Sequence, residues 1–148
     1  MKLTRSQVYN VAFDIAQEKI NGLQFQIEDL SSGADIKSTS GDKHETSRAM
    51  MHLQQEQLTA QLSEARLMMG KLVSLRDLAA PVKIAEGSLI VTDGPIFYLT
   101  IALGKLVIDT ATIYALSAGS PLGKEFIGKS KNDQITLNEK TYLIKDIR

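Results

Sequence analysis

Cysteine and tryptophan are absent from this 148-residue chain, and prolines number three. Without cysteine there is no disulfide, no thiolate metal site and no cysteine nucleophile. That composition suits a reducing cytoplasm, the expected location. Phenylalanine and tyrosine contribute four residues each, too few for a large aromatic-rich core. Charge of one sign is lacking too. Residues 1–80 carry nine Lys/Arg against ten Asp/Glu, and residues 81–148 carry eight against seven. Neither half offers the basic surface that grips bare nucleic acid, so a protein partner fits better. No stretch approaches the ~20 apolar residues of a membrane span. The start, Met1-Lys2-Leu3-Thr4-Arg5-Ser6, has no apolar run behind its charges and does not read as a signal peptide. The nucleophile elbow G-x-S-x-G and the zinc motif H-E-x-x-H are missing. Free-standing catalysis therefore has no visible support, and the chain is not expected to be an enzyme.

What is present is strong helical periodicity in the first half. Thr4-Arg5-Ser6-Gln7 has the form of a capping box. Behind it, Tyr9, Phe13, Ala16, Ile20, Leu23, Ile27 and Leu30 are spaced alternately four and three apart, a heptad seam on one helix face. Ser31-Ser32-Gly33 is expected to break this helix and open a polar loop. A second helix pattern begins near Asp42 and runs to about Leu78. Its seam is Met51, Leu58, Leu62, Ala65, Met69 and Leu72, flanked by Leu53, Met68 and Leu75. Each seam is too narrow for the wall of a large core. Two such helices joined by one loop bury each other's seam as an antiparallel pair. About 26 residues at ~1.5 Å each give an arm of roughly 40 Å. A monomer with an intramolecular hairpin is expected; a homodimeric or tetrameric bundle is the alternative.

The texture changes after Pro81. Ser88–Thr92, Ile96–Ala102, Leu106–Ile108 and Thr112–Ser117 read as strands separated by Asp93-Gly94-Pro95 and Gly104-Lys105 turns. Ser120-Pro121 reads as an N-cap followed by proline at the first helical position. Gly128 is a stop. Gln134–Leu137 and Thr141–Ile147 read as closing strands. The whole is α+β: a helical hairpin over 1–79 with an acidic tip loop at 32–45, then a small antiparallel β-rich domain over 80–148.

The loop ends Gly41-Asp42-Lys43-His44-Glu45, and two readings stand open there. Asp42 and Glu45 can serve as the cap and third residue of a capping box. They are equally two carboxylates one helical turn apart, the hard oxygen ligands that Mg²⁺ prefers. Two carboxylates are too few for a competent site, and the positive helix N-terminus favours them while opposing a cation. A metal there would have to be shared with another molecule. Lys43 and Arg48 are candidate partner or phosphate contacts. His44 and His52 are eight apart with no third partner and read as exposed helix residues; Met50, Met51, Met68 and Met69 read as seam and flank packing.

Two segments resemble a known family, the Gre-type bacterial transcription elongation and transcript-cleavage factors. Gly41-Asp42-Lys43-His44-Glu45 is similar to that family's G-D-x-x-E at the start of the second helix. The run from Ser120 to Asp133, SPLGKEFIGKSKND, is similar to its S-P-[IL]-x-x-x-L-[IL]-G-K-x-x-G-D. The family usually has glycine where this chain has Asn132, and asparagine is the next-best residue for a left-handed turn. The resemblance covers the chain in order and implies a coiled-coil arm followed by an FKBP-like domain. It implies that RNA polymerase is the partner, with nucleic acid met only through the polymerase complex. The arm would enter the secondary channel. Asp42 and Glu45 would help hold a Mg²⁺ shared with the polymerase, which then cuts backtracked RNA. A relative that blocks the channel without promoting cleavage, and a purely structural coiled-coil scaffold, are the alternatives. A prolyl isomerase is disfavoured by the lack of an aromatic-lined pocket.

Overall fold

The computed structural model describes residues 2–36 and 42–148, apart from the side chains of 33–36 and 42–44. The elements are α1 (Arg5–Ile36), α2 (Asp42–Ser74), β1 (Leu89–Thr92), β2 (Ile96–Thr100), β3 (Gly104–Ile108), β4 (Ala111–Ser117), α3 (Pro121–Phe126), β5 (Gln134–Leu137) and β6 (Lys140–Ile147). They form two compact units. One is Ala16–Met69; the other joins Met1–Ile15 to Gly70–Arg148.

The first unit is a helical hairpin. Its core is Ile20, Leu23, Leu62 and Ala65, with Ile27, Leu58 and Met69 packed against them, all from the two seams. Gln55 donates from Nε2 to Ser31 Oγ at 2.8 Å, while Leu23 and Leu62 share the core. Partner numbers fall on α2 as they rise on α1, so the pair is antiparallel. The expected break at Ser31-Ser32-Gly33 does not occur: α1 runs on to Ile36. Serine and glycine only weaken a helix, by about 1 kcal/mol or less each, and the Ser31 hydroxyl is tied to the neighbouring helix. Of the anticipated tip loop 32–45, residues 32–36 and 42–45 are therefore helical, and 37–41 lie outside the described residues.

In the second unit, the capping box forms as read. Gln7 N donates to Thr4 Oγ1 at 3.3 Å and Thr4 N donates to Gln7 Oε1 at 2.9 Å. Val8, Tyr9, Ala12, Leu72 and Leu75 belong to this unit and are buried. Helix α2 ends at Ser74, four residues before the anticipated Leu78. There the backbone tightens, with Leu75 N bonding Leu72 O and Arg76 N bonding Val73 O.

The six strands form one sheet in the order β3-β4-β2-β1-β6-β5. It is antiparallel as expected except for one pair: β2 and β4 run parallel, Ile96 beside Ile113 through Thr100 beside Ser117. Strand β3 pairs antiparallel on the outer side of β4 instead of lying between β2 and β4. Lys105, read as a turn residue, lies in β3 opposite Tyr114, and the turn is made by Gly104 at φ 76°. Ala102 falls outside β2.

One sheet face carries Ile90, Phe97, Leu99 and Ile144, closed by Ile84, Phe126 of α3 and Ile135. The Phe97 ring sits 5.1 Å from Phe126 and 5.4 Å from Tyr142, the second edge-on. Strand β2 alternates Phe97 and Leu99 with Tyr98 and Thr100, and all four are buried. Both faces of this central strand are therefore covered, which explains why it reads as a continuous apolar run.

Candidate functional site

The tip pair lies at the start of α2. Asp42 is the first residue of that helix and Glu45 is three further on, so both belong to its first turn. Glu45 is exposed. It forms no ion pair or hydrogen bond with another described residue. The side chains of Asp42, Lys43 and His44 lie outside the described residues, and the capping reading of Asp42 lies there with them. Arg48 and His52 are exposed along the next turns. Met50 is exposed and Met51 half-buried, as expected for a flank and a seam position. Among the described residues no group of three His, Asp or Glu side chains could hold a metal by itself.

Chemically, a first-turn carboxylate is favoured by the unsatisfied amides of the helix start. Glu45 offers solvent-facing oxygen at that position. Hard oxygen donors fit Mg²⁺, which usually takes one or two protein carboxylates and fills its octahedron from water and phosphate.

Further along the arm the two helices enclose a groove of about 340 Å³, lined by Gln26, Asp29, Gln54, Gln57, Leu58 and Gln61 among others. Sequence reasoning passed over it. The signal was present in the spacing of Gln54, Gln57 and Gln61, which puts three amides on one helix face.

The second motif makes structural contacts. Ser120 Oγ accepts from Gly123 N at 3.0 Å and donates to Ser117 O at 2.7 Å, with Pro121 at the first helical position. Gly128 has φ 82° and Asn132 φ 77°, so asparagine does take the left-handed turn. Asp133 Oδ2 accepts from Ser130 N at 2.8 Å, closing that turn. These residues shape the domain and do not assemble a reactive centre.

No family model matches the chain, and no curated protein matches it. Among solved structures it is similar to GreA factor homolog 1 (Gfh1) of Thermus thermophilus, with 13% identity and a TM-score of 0.36, over 92% of this chain and 94% of that one. A likeness that loose carries no functional argument, and the tip residues must stand on their own chemistry. No helix among the described residues is long and apolar enough to cross a membrane.

Proposed function

We propose that this protein binds RNA polymerase and passes its hairpin arm into the secondary channel, where it stimulates the polymerase's own cleavage of backtracked RNA. The observation that carries the reading is the placement of Asp42 and Glu45 in the first turn of α2, beside the turn of an antiparallel arm. The resemblance of Gly41–Glu45 and of Ser120–Asp133 to the Gre-type motifs supports it.

The chain acts as an accessory factor. Asp42 and Glu45 supply two hard oxygen ligands toward a Mg²⁺ whose remaining ligands come from the polymerase and the RNA phosphate. Such an ion, once bound, makes a water more acidic and stabilises the attacking and leaving oxygens of an in-line displacement. The arm positions the carboxylates, and a site split between two molecules forms only in their complex. Lys43, between the two carboxylates in sequence, and Arg48, three residues beyond Glu45, are the candidate contacts to phosphate or acidic protein groups.

Transcript cleavage on a backtracked polymerase complex tests this. Wild-type protein shortens the RNA from its 3′ end. Asp42→Asn combined with Glu45→Gln binds the polymerase equally and leaves the RNA at full length. Wild-type protein that binds and slows nucleotide addition without shortening the RNA replaces this reading with that of a channel blocker. Absence of polymerase binding removes both and leaves the scaffold.

A further inference from the structure

Helix α2 carries a second heptad row besides its seam. Met50, Leu53, Gln57, Ala60, Glu64 and Leu67 are spaced alternately three and four apart, so they share one face. At about 3.6 residues per turn, that face lies roughly 130° around the helix from the seam packed on α1. All of these residues are exposed. Met50, Leu53 and Leu67 keep 63%, 55% and 77% of their surface open to solvent. A single exposed leucine needs no explanation, but three large apolar side chains in heptad register on one stripe do. The inner seam is satisfied by α1 within the chain and calls for no second molecule. The outer row is left uncovered.

This row complements itself. Laid antiparallel on its own copy, it sets Met50 against Leu67, Leu53 against Glu64 and Gln57 against Ala60 in a single register. The two-fold repeats each pair at the other end. Apolar side chains therefore meet at both ends of the contact, and small Ala60 receives the longer Gln57 in the middle. Glu64 lines a groove together with Lys19, which places a cation beside the carboxylate on that side of the arm. A contact in which one patch meets the same patch closes at two copies. The chain has no net charge, so two copies do not repel. Residues 50 to 67 span about 27 Å at ~1.5 Å each. A two-helix contact of that length falls near the lower limit of specific interfaces, about 1,000 Å² in total. Such a dimer is weak and depends on concentration.

We infer that a second copy of this chain covers the outer row of α2, in an antiparallel two-fold dimer of arms. The monomer expected from the two seams is then the species at low concentration only. The contact uses the arm's own surface and is independent of the tip chemistry and of any polymerase.

Sedimentation equilibrium of the full chain tests the inference. The mass is expected to rise from 16.2 kDa toward twice that value. The apparent dissociation constant is expected on the order of 10–100 µM, as suits so small an interface. Leu53→Lys with Leu67→Lys raises it at least about tenfold. Both positions are exposed, so circular dichroism of the variant stays that of wild type. The chain has no cysteine, so direction can be read by cross-linking. Met50→Cys mixed with Leu67→Cys forms a disulfide-linked dimer, whereas either alone does not, since like positions lie roughly 25 Å apart in the antiparallel pair. A wild-type mass of one chain up to about 0.5 mM overturns the dimer, because even a contact at the lower limit of size would be populated there. An association that Leu53→Lys with Leu67→Lys leaves intact overturns the surface. Cross-linking of Met50→Cys with itself overturns the register.

Discussion

The carbonyl oxygen of Ser117 occupies the space that a β-carbon on residue 123 would need, and Ser120 Oγ lies 2.9 Å from the same point. Strand β4 ends at Ser117, and the chain turns so tightly into α3 that only glycine lets its backbone pass. Backbone cannot yield as a flexible side-chain end can. Gly123→Ala is expected to destabilise the protein by about 1–3 kcal/mol, as overpacking does. Gly119→Ala, where a β-carbon meets nothing within 4 Å, is the control. Denaturant midpoints of the two variants check this; equal midpoints would show that α3 moves freely.

The β5–β6 hairpin turns on Asn138 and Glu139, both at positive φ, 52° and 68°. Leu137 faces Lys140 across this two-residue turn, the geometry of type I′. Asparagine tolerates the left-handed region and glutamate does so less well. Glu139→Gly is therefore expected to stabilise by about 0.5–1 kcal/mol. Urea unfolding measures it, and a lower midpoint for the glycine variant would contradict the turn type.

Burial pushes the Tyr98 phenol up to about 12 from 10.0, against the opposing pull of Arg5. The sign follows from proton counts. Between these values the folded chain keeps the Tyr98 proton and the unfolded chain releases it, so stability falls as pH rises. Below pH 10 neither state ionises and Tyr98 contributes no slope. Wild type should lose on the order of 2–3 kcal/mol more than Tyr98→Phe across this window. Unfolding midpoints of both proteins from pH 9 to 12, at fixed ionic strength, give the difference directly. Parallel curves would mean that the phenol ionises without unfolding.

Leu62 packs with Ile20, Leu23 and Ala65 at the centre of the arm, whereas Leu67 is exposed. A core of two helices collapses more readily around a cavity than a deep one does. Leu62→Ala is expected to cost about 2 kcal/mol, the low end for a buried leucine, and Leu67→Ala under about 0.5 kcal/mol. Hydrogen exchange locates the loss: amides within 16–69 should exchange faster in Leu62→Ala while those of the sheet hold. A uniform loss over the chain would show that the two units unfold as one.

Local chemistry by itself determined the helix seams, the Thr4–Gln7 capping box, the Ser120-Pro121 start of α3 and the left-handed Asn132. Each depends on interactions within one or two turns, so periodicity and turn residues carry it. The parallel placement of β4 beside β2 depends on which neighbour a strand meets after leaving a short turn. Leu106 and Ile113 have the same pattern whether β3 lies inside or outside β4, so only the tertiary structure decided it. At the tip the spacing put Asp42 and Glu45 on one turn, and the helix bounds keep them there. Residues 31–36 went the other way. Serine and glycine disfavour a helix by less than the Ser31–Gln55 contact and the continuing backbone ladder favour it, and pairing with α2 is information that no local window contains.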